Sequence, residues 1–275
     1  MKVVAVVQAR TASTRLPKKV LLPVAGRPLL ELMLNRVKAA QQLDEVVVAT
    51  TTTAADDSIR ALTAHGRIAC VSGHSTDLIE RHLQAAVATG ADVVVKIPSD
   101  CPLIDPRVID EVVGTYRRHS QRFDFVSNLH PATWPDGNDV EVFPRHVLEQ
   151  AWREAARPFE REHTTPFIWD RPDRFRIANV TAPDGRDRSR THRLTLDYQE
   201  DYAVIAAVFQ AFSRPEPSNF SVEEIVAFLD RHPEIAGLNA RYHGTGWVDQ
   251  HRHELKTLWR RGATGPALST EGARP

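Results

Sequence analysis

Four short runs rich in β-branched residues, KVVAVV (2–7), EVVVATT (45–51), IACVS (68–72) and DVVVKI (92–97), are each separated from the next by a segment with helical spacing of apolar residues. Strands that are apolar on both faces are covered on both sides, and the sheets they build are parallel, with helices as crossovers. The helix starts are marked as well: Pro28 precedes LLELMLNRV, Asp57 precedes SIRAL, Thr76 or Asp77 precedes LIERHLQAA, and Asp105-Pro106 precedes RVIDEVVGTY. Repeated β-α units of this kind predict a doubly wound α/β sheet. Ligands of such sheets sit outside the carboxyl ends of the strands. Two segments fall there, QARTASTRLPKK after the first run and PSDCPLIDP after the fourth.

After about residue 120 the rhythm changes to FDFVS, NDVEVF, a helix near RHVLEQAWREA, then FRIANV and HRLTLD, which reads as a mixed-sheet extension with fewer crossovers. The helix EDYAVIAAVFQAF carries Val204, Ile205, Val208, Phe209 and Phe212 on one stripe, a core-packing pattern. Ser221 and Glu224 have the spacing of a capping box. The expected organisation is a main domain over 1–215, a helical extension over 216–261 and a disordered tail over 262–275, whose Gly, Pro, Ser, Thr and Arg residues lack apolar periodicity.

The 275 residues carry 35 Lys plus Arg against 35 Asp plus Glu, so no global field calls for nucleic acid or a membrane surface as partner. No run approaches the ~18 apolar residues of a membrane span, and the first apolar run, broken at Gln8 and Arg10, is too short for a signal-peptide core. Two distant cysteines, Cys70 and Cys101, fit a reducing compartment, so the expected location is the cytoplasm.

Neither G-x-x-x-x-G-K-[ST] nor G-x-G-x-x-G occurs. A nucleotide bound here would have its phosphates neutralised by side chains, and the first loop offers Arg10, Arg15 and Lys19 with the hydroxyls of Ser13 and Thr14. A solvated basic loop fits the same spacing. WPDGNDVEV places Asp136-Gly137 at a turn and Asp139 and Glu141 on one strand face, either a solvated acidic face or a substrate or subunit contact. EREHTTPF supplies Glu162 and His163. DGRDRSRTHR, with arginines at 186, 188, 190 and 193, reads as a mobile surface loop, and Cys101 as a buried small thiol.

Taken in order, QARTASTRLPKKVLLPVAGRPLLE, VVVATTT, SDCPLIDP, DVEVF, EREHTTPFI and RLTLD resemble the cytidylyltransferases, most closely the spore coat polysaccharide biosynthesis protein F group and more distantly the 3-deoxy-manno-octulosonate and acylneuraminate enzymes. The resemblance implies a Rossmann-like nucleotidyltransferase (GT-A-like) fold with a mostly parallel mixed sheet, CTP and Mg²⁺ as ligands, and transfer of CMP to a sugar acid or related acceptor with release of pyrophosphate. Arg10, Ser13, Arg15 and Lys19 occupy the family's R-x-x-S-x-R-x-P-x-K triphosphate loop. By the same resemblance Ala9, Thr50 and Thr51 approach the nucleotide, Asp100 and Asp197 hold the metal, Arg10, Arg15, Lys19 and Asp100 are catalytic, and Asn128, Asp139, Glu141, Glu162 and His163 lie on the acceptor side. Thr11-Ala12 and Lys18 replace the frequent Met-Gly and Gly, and Tyr198-Gln199 replace Thr-Pro. A homodimer is expected through FVSNLHPATWPDGNDVEVF, with Phe125, Leu129, Trp134 and Val142 as its apolar residues. A different base or a phosphorylated acceptor, a nucleotide-sugar glycosyltransferase and a non-catalytic relative stay open as alternatives.

Overall fold

The computed structural model describes residues 1–212 and 220–257. Strands β1 (Val3–Gln8), β4 (Glu45–Thr51), β5 (Ala69–Gly73) and β6 (Val93–Pro98) coincide with the four apolar runs. A small ribbon, β2 (Pro23–Val24) with β3 (Arg27–Pro28), follows the first loop. With β7 (Phe125–Ser127), β8 (Glu141–Pro144) and β9 (Ile177–Asn179), strands β1, β4, β5 and β6 form a seven-stranded sheet of order β5-β4-β1-β6-β8-β7-β9. β1 pairs in parallel with both β4 and β6, while β8 runs antiparallel to β6 and β7. The sheet is therefore mixed and mostly parallel, flanked by helices as expected. The chain first builds outward from β1 through β4 to β5 and then returns to its other side with β6. That reversal opens a crevice beyond the carboxyl ends of β1 and β6, the usual ligand position in wound sheets.

Alternation along β1 explains the two-sided core. Val3, Ala5 and Val7 face one hydrophobic cluster with α1 (Leu29–Lys38), α4 (Pro106–His119) and α8 (Gln199–Ala211), whereas Val4 and Val6 face the other with α3 (Leu78–Ala88), α5 (Arg145–Glu154), α6 (Pro158–His163) and α7 (Pro166–Trp169). α2 (Asp57–His65) covers β4 and β5 through Ile59. Asp77 caps α3, Asp105 caps α4, and Ser221 with Glu224 closes the capping box of α9 (Val222–Arg231). Asp56 rather than Asp57 stands at the N-cap position of α2, but its side chain makes no capping bond because it is turned to the backbone and hydroxyl groups of Thr11 and Thr51. Among the described residues no helix is long and apolar enough to cross a membrane.

Three expectations are corrected. HRLTLD is extended but is not a sheet strand: it meets its neighbour at a single Asp136–Arg193 bridge, and a few backbone bonds to Asp136 and to the Asp100 carbonyl stand in place of a continuous ladder. Phe125, Trp134 and Val142, expected at a subunit contact, are buried in the chain's own core. The arginine-rich stretch is not uniformly a surface loop, since Arg193 is buried. The expected boundary at 215/216 and the tail 262–275 lie outside the described residues.

After α9 come α10 (Pro233–Ala236), a 3-10 turn over Gly237–Tyr242 and α11 (Trp247–Gln250). Val222, Ile225 and Leu229 of α9 join the same cluster as α1 and α4. Arg36 makes the polar tie: buried at 3% exposure, it donates to the carbonyls of Leu103, Ile104 and Phe220 and lies over the Phe220 ring. Burial pushes its guanidinium down to about 10, with Asp105 and Glu224 offsetting part of that effect. Buried carbonyls without a donor cost about 1 to 3 kcal/mol each, so Arg36→Met is expected to lower unfolding free energy by roughly 2 to 4 kcal/mol. Urea unfolding of the two proteins checks this, and equal midpoints would show that the carbonyls find other donors.

Candidate active site

The loop after β1 is tied down before any ligand arrives. Asp56 accepts from the Thr11 amide at 2.7 Å, from the Thr11 hydroxyl at 2.7 Å and from the Thr51 amide and hydroxyl, which fastens the loop to the end of β4. The loop closes with Lys18 in the left-handed region at φ 56°, where glycine would be unstrained, and its amide donates to the Thr11 carbonyl. The following 3-10 turn, Lys19–Leu21, sends the Lys19 side chain across the crevice.

Lys19 reaches the ends of two separate segments at once. Its Nζ lies 3.3 Å from Asp100 Oδ2 and 2.9 Å from Asp197 Oδ1, and donates to the Leu196 carbonyl at 2.7 Å. Asp100 and Asp197 are neighbours because the Asp100 carbonyl accepts from the Leu196 amide at 2.8 Å and the Thr195 hydroxyl at 3.1 Å. Burial opposes the charge on Lys19, but Asp100 and Asp197 outweigh it and hold the ammonium above the usual lysine value. Burial likewise opposes ionisation of Asp197, which Lys19 and the half-exposed Arg15, 2.7 Å away, reverse, so that its carboxyl titrates below the usual range.

A second acidic pair lies beside this one. Gly137, at φ +102°, passes so close to Leu194 and Thr195 that a Cβ there would come within 2.6 Å of their backbone. Only glycine allows this approach. It carries Asp136 to Arg193, 3.0 Å away, and Asp139 to within electrostatic reach of Asp100. Asn128 secures the loop by donating to the Asn138 carbonyl and accepting from the Val140 amide. Burial first, then Asp139, pushes the Asp136 carboxyl up to about 8; burial and then Asp100 push Asp139 up to about 7. Both keep some solvent contact, which moderates the push. Carboxylates this crowded cannot all ionise.

The remaining candidates are spread around this centre. Ala9 is buried at the end of β1, and Ser13 is partly open on the loop. Arg10 points away from the carboxylates, toward the Ser75 carbonyl at 3.4 Å. Thr50 is buried, and Thr51 is engaged by Asp56. Asn128 has both ends of its amide in use, as described. Glu141 is buried in an ion pair with Lys96 and accepts from the Thr165 hydroxyl, so it is not on a solvated face. Glu162 is exposed. His163 stacks on Trp247 with 4.0 Å between ring centroids. Cys101 is buried, and burial pushes its thiol well up. Asp56, Asp136, Lys96 and Arg193 escaped sequence reading. Asp56 sat at an expected helix start, Asp136 in an expected turn and Arg193 in an expected surface loop.

A family model described as cytidylyltransferase matches residues 4–228. This chain belongs to the cytidylyltransferase family. The enzyme is 29% identical over 237 residues to the spore coat polysaccharide biosynthesis protein SpsF of Bacillus subtilis, covering 84% of this chain and 95% of the relative. It is 34% identical over 114 residues to a 3-deoxy-manno-octulosonate cytidylyltransferase of Geobacter metallireducens, 42% of this chain and 44% of that one. A solved cytidylyltransferase structure from Leptospira borgpetersenii superposes with a TM-score of 0.80 at 33% identity, covering 86% of this chain and 97% of the other.

Among the described residues no three His, Cys, Asp or Glu side chains gather as a metal-holding group. The Lys19 ammonium, between Asp100 and Asp197, is a stand-in cation, and these two hard carboxylates suit a magnesium ion that keeps several waters.

The raised aspartates make stability pH-dependent. An unfolded aspartate titrates near 3.8, so above that value the native state holds protons the unfolded chain has released, and stability falls as pH rises through the folded values. Burial acts oppositely on His82, His130 and His163, pushed down to about 3, about 4 and about 3, whose contribution is complete once pH passes their unfolded 6.5. Above about 6.5 the aspartates act without that opposition. The metal-free enzyme is expected to melt lower at pH 8 than at pH 6.5, and Asp139→Asn to flatten the difference. Thermal melts in EDTA check this, and equal slopes would remove Asp139 from the account.

Proposed function

We propose that this nucleotidyltransferase moves CMP from CTP to an acidic sugar or related acceptor, with Mg²⁺ as metal and pyrophosphate as leaving group. The observation that carries the reading is the junction of Lys19 with Asp100 and Asp197, which couples the cationic loop to two carboxylates at the crevice between β1 and β6. An acceptor oxygen attacks the α-phosphorus, and the bond to the oxygen bridging to the β-phosphate breaks, its electron pair leaving with pyrophosphate. Mg²⁺ held by Asp100 and Asp197 would supply charge neutralisation at the phosphate oxygens. Arg10, Ser13, Arg15 and Lys19 bind the β- and γ-phosphates, and Lys19 exchanges its carboxylate partners for phosphate oxygens of the leaving group. Asp139, whose proton affinity is raised toward neutrality, takes the proton of the attacking hydroxyl.

Support for a sugar acceptor comes from two directions. Relatives are named for 3-deoxy-manno-octulosonate and for polysaccharide biosynthesis. In the chain, Nε2 of His82 and of His130, Oγ1 of Thr164 and Nε1 of Trp169 are buried without a partner among the described residues, and the charge of Lys96 reaches both histidines. Hydroxyl groups of a ligand would satisfy such atoms.

Pyrophosphate release measured with each of the four nucleoside triphosphates and a panel of sugar acids tests the reading. Release is expected with CTP, Mg²⁺ and an acidic acceptor together, and equal rates with all four triphosphates would overturn the base assignment. Lys19→Ala is expected to lower kcat/KM by about a hundredfold or more, because a charge-assisted donor at the leaving group is lost. Asp100→Asn and Asp197→Asn should each lose most activity, and the double variant should be little worse than the worse single one. Multiplicative losses would mean that the two aspartates act apart.

A further inference from the structure

Arg193, 4% exposed, serves three carboxylates at once. Its Nε and Nη2 grip the two oxygens of Asp201 at 2.9 and 3.2 Å, and Nη2 also lies 3.5 Å from Asp197 Oδ2. Nη1 donates to Asp136 at 3.0 Å and to the Thr245 carbonyl at 3.3 Å. Asp201 is fully buried and accepts from the backbone amides of Asp197 at 2.9 Å and Tyr198 at 3.0 Å, so it fixes the main chain that carries Asp197. Asn239 closes the circuit from beyond α9: its amide donates to the Arg193 carbonyl at 3.0 Å and to Asp201 at 2.9 Å.

We infer that Arg193, locked by Asp201 and Asn239, is a positioning residue that presents the Asp197 carboxylate to a divalent metal ion, and that the segment after α9 sets metal affinity through it. The inference rests on the reading of Asp100 and Asp197 as the metal pair. Among the described residues three cations approach Asp197, and they are not equivalent. Lys19 is shared with Asp100, and on the proposed reaction it moves to phosphate. Arg15 is 46% exposed and is screened by solvent. Arg193 alone of the three is anchored on a carboxylate that is itself fully buried, Asp201. Its role needs the planar fork: gripping Asp201 with one edge while reaching Asp136 and Asp197 with the other ends requires fixed, divergent donors, which a lysine ammonium cannot supply. Partners that orient a metal ligand without touching the metal typically change its affinity by about 10- to 100-fold when removed.

The test is a titration of the full-length protein with Mn²⁺ alone, free ion being read by electron paramagnetic resonance, in wild type, Asp197→Asn, Arg193→Lys and Asn239→Ala, with circular dichroism confirming that each is folded at the temperature used. Expected are Mn²⁺ affinities weakened by about tenfold or more in Asp197→Asn and Arg193→Lys, and by a smaller factor in Asn239→Ala. Should Arg193→Lys fail to fold, Asn239→Ala decides, since it leaves every charge of the network in place. A merely structural role would lower the melting temperature of Arg193→Lys and Asn239→Ala but leave the folded proteins at wild-type Mn²⁺ affinity, and that result overturns the inference. If Asp197→Asn itself binds Mn²⁺ like wild type, the metal reading falls and takes the inference with it; if only Asp197→Asn is impaired, the metal reading stands and the positioning role falls.

Discussion

Carboxylates crowded into one crevice repel one another, and the arrangement of this molecule depends on how that repulsion is met. Asp100, Asp136, Asp139 and Asp197 come from three separate parts of the chain, and their neighbours' charges oppose ionisation of Asp136 and Asp139. Two answers are built in. Lys19, Arg15 and Arg193 bring permanent positive charge against Asp197 from two sides, which keeps it ionised. Asp136 and Asp139, less well served, answer by holding their protons more tightly. On the proposed reading, Asp100 and Asp197 would hold the cation while Asp139 would take the proton of the attacking hydroxyl.

The fold supplies the positions at which these charges meet. Parallel pairing of β1 with β6 puts the start of the basic loop beside the start of the Asp100 segment, and the carbonyl of Asp100 then binds the amide of Leu196 to draw in the late aspartate. Several of the supports are buried polar groups with no chemistry of their own. Asp56 anchors the loop, Asn128 holds the acidic turn, Asp105 accepts from the Val222 amide, and Arg36 takes the carbonyls left by the approach of α9. Buried polar groups persist where each has its partner, and here the partners join segments remote in sequence, so satisfying them also fixes the crevice.

The surroundings of Lys96 follow a different physical logic. Lys96 and Glu141, directly opposed on β6 and β8, form a buried ion pair, and the neutral imidazoles of His82, His130 and His163 lie within its influence. Trp247, from beyond α9, covers His163 face to face.

Much of this molecule is legible in local pattern. Strand runs, helix starts, the basic loop and the aspartates after two extended segments are all one-dimensional signals, because apolar periodicity and capping residues act over a few positions of chain. Lys19, Asp100 and Asp197 could be named from motif resemblance, and the sheet from its β-α rhythm. What tertiary structure alone decided is which charges share a partner. The sequence around Arg193 looks like a solvated arginine-rich loop, and that around Asp136 like an ordinary turn. Only the close passage at Gly137 and the burial of Asp201 convert them into one network. In the same way Phe125, Trp134 and Val142 are apolar in a place that could have faced another subunit, and the sheet took them inward. Electrostatic partnership and burial depend on distances between segments that the chain order does not encode, so they become definite only when the sheet closes its crevice.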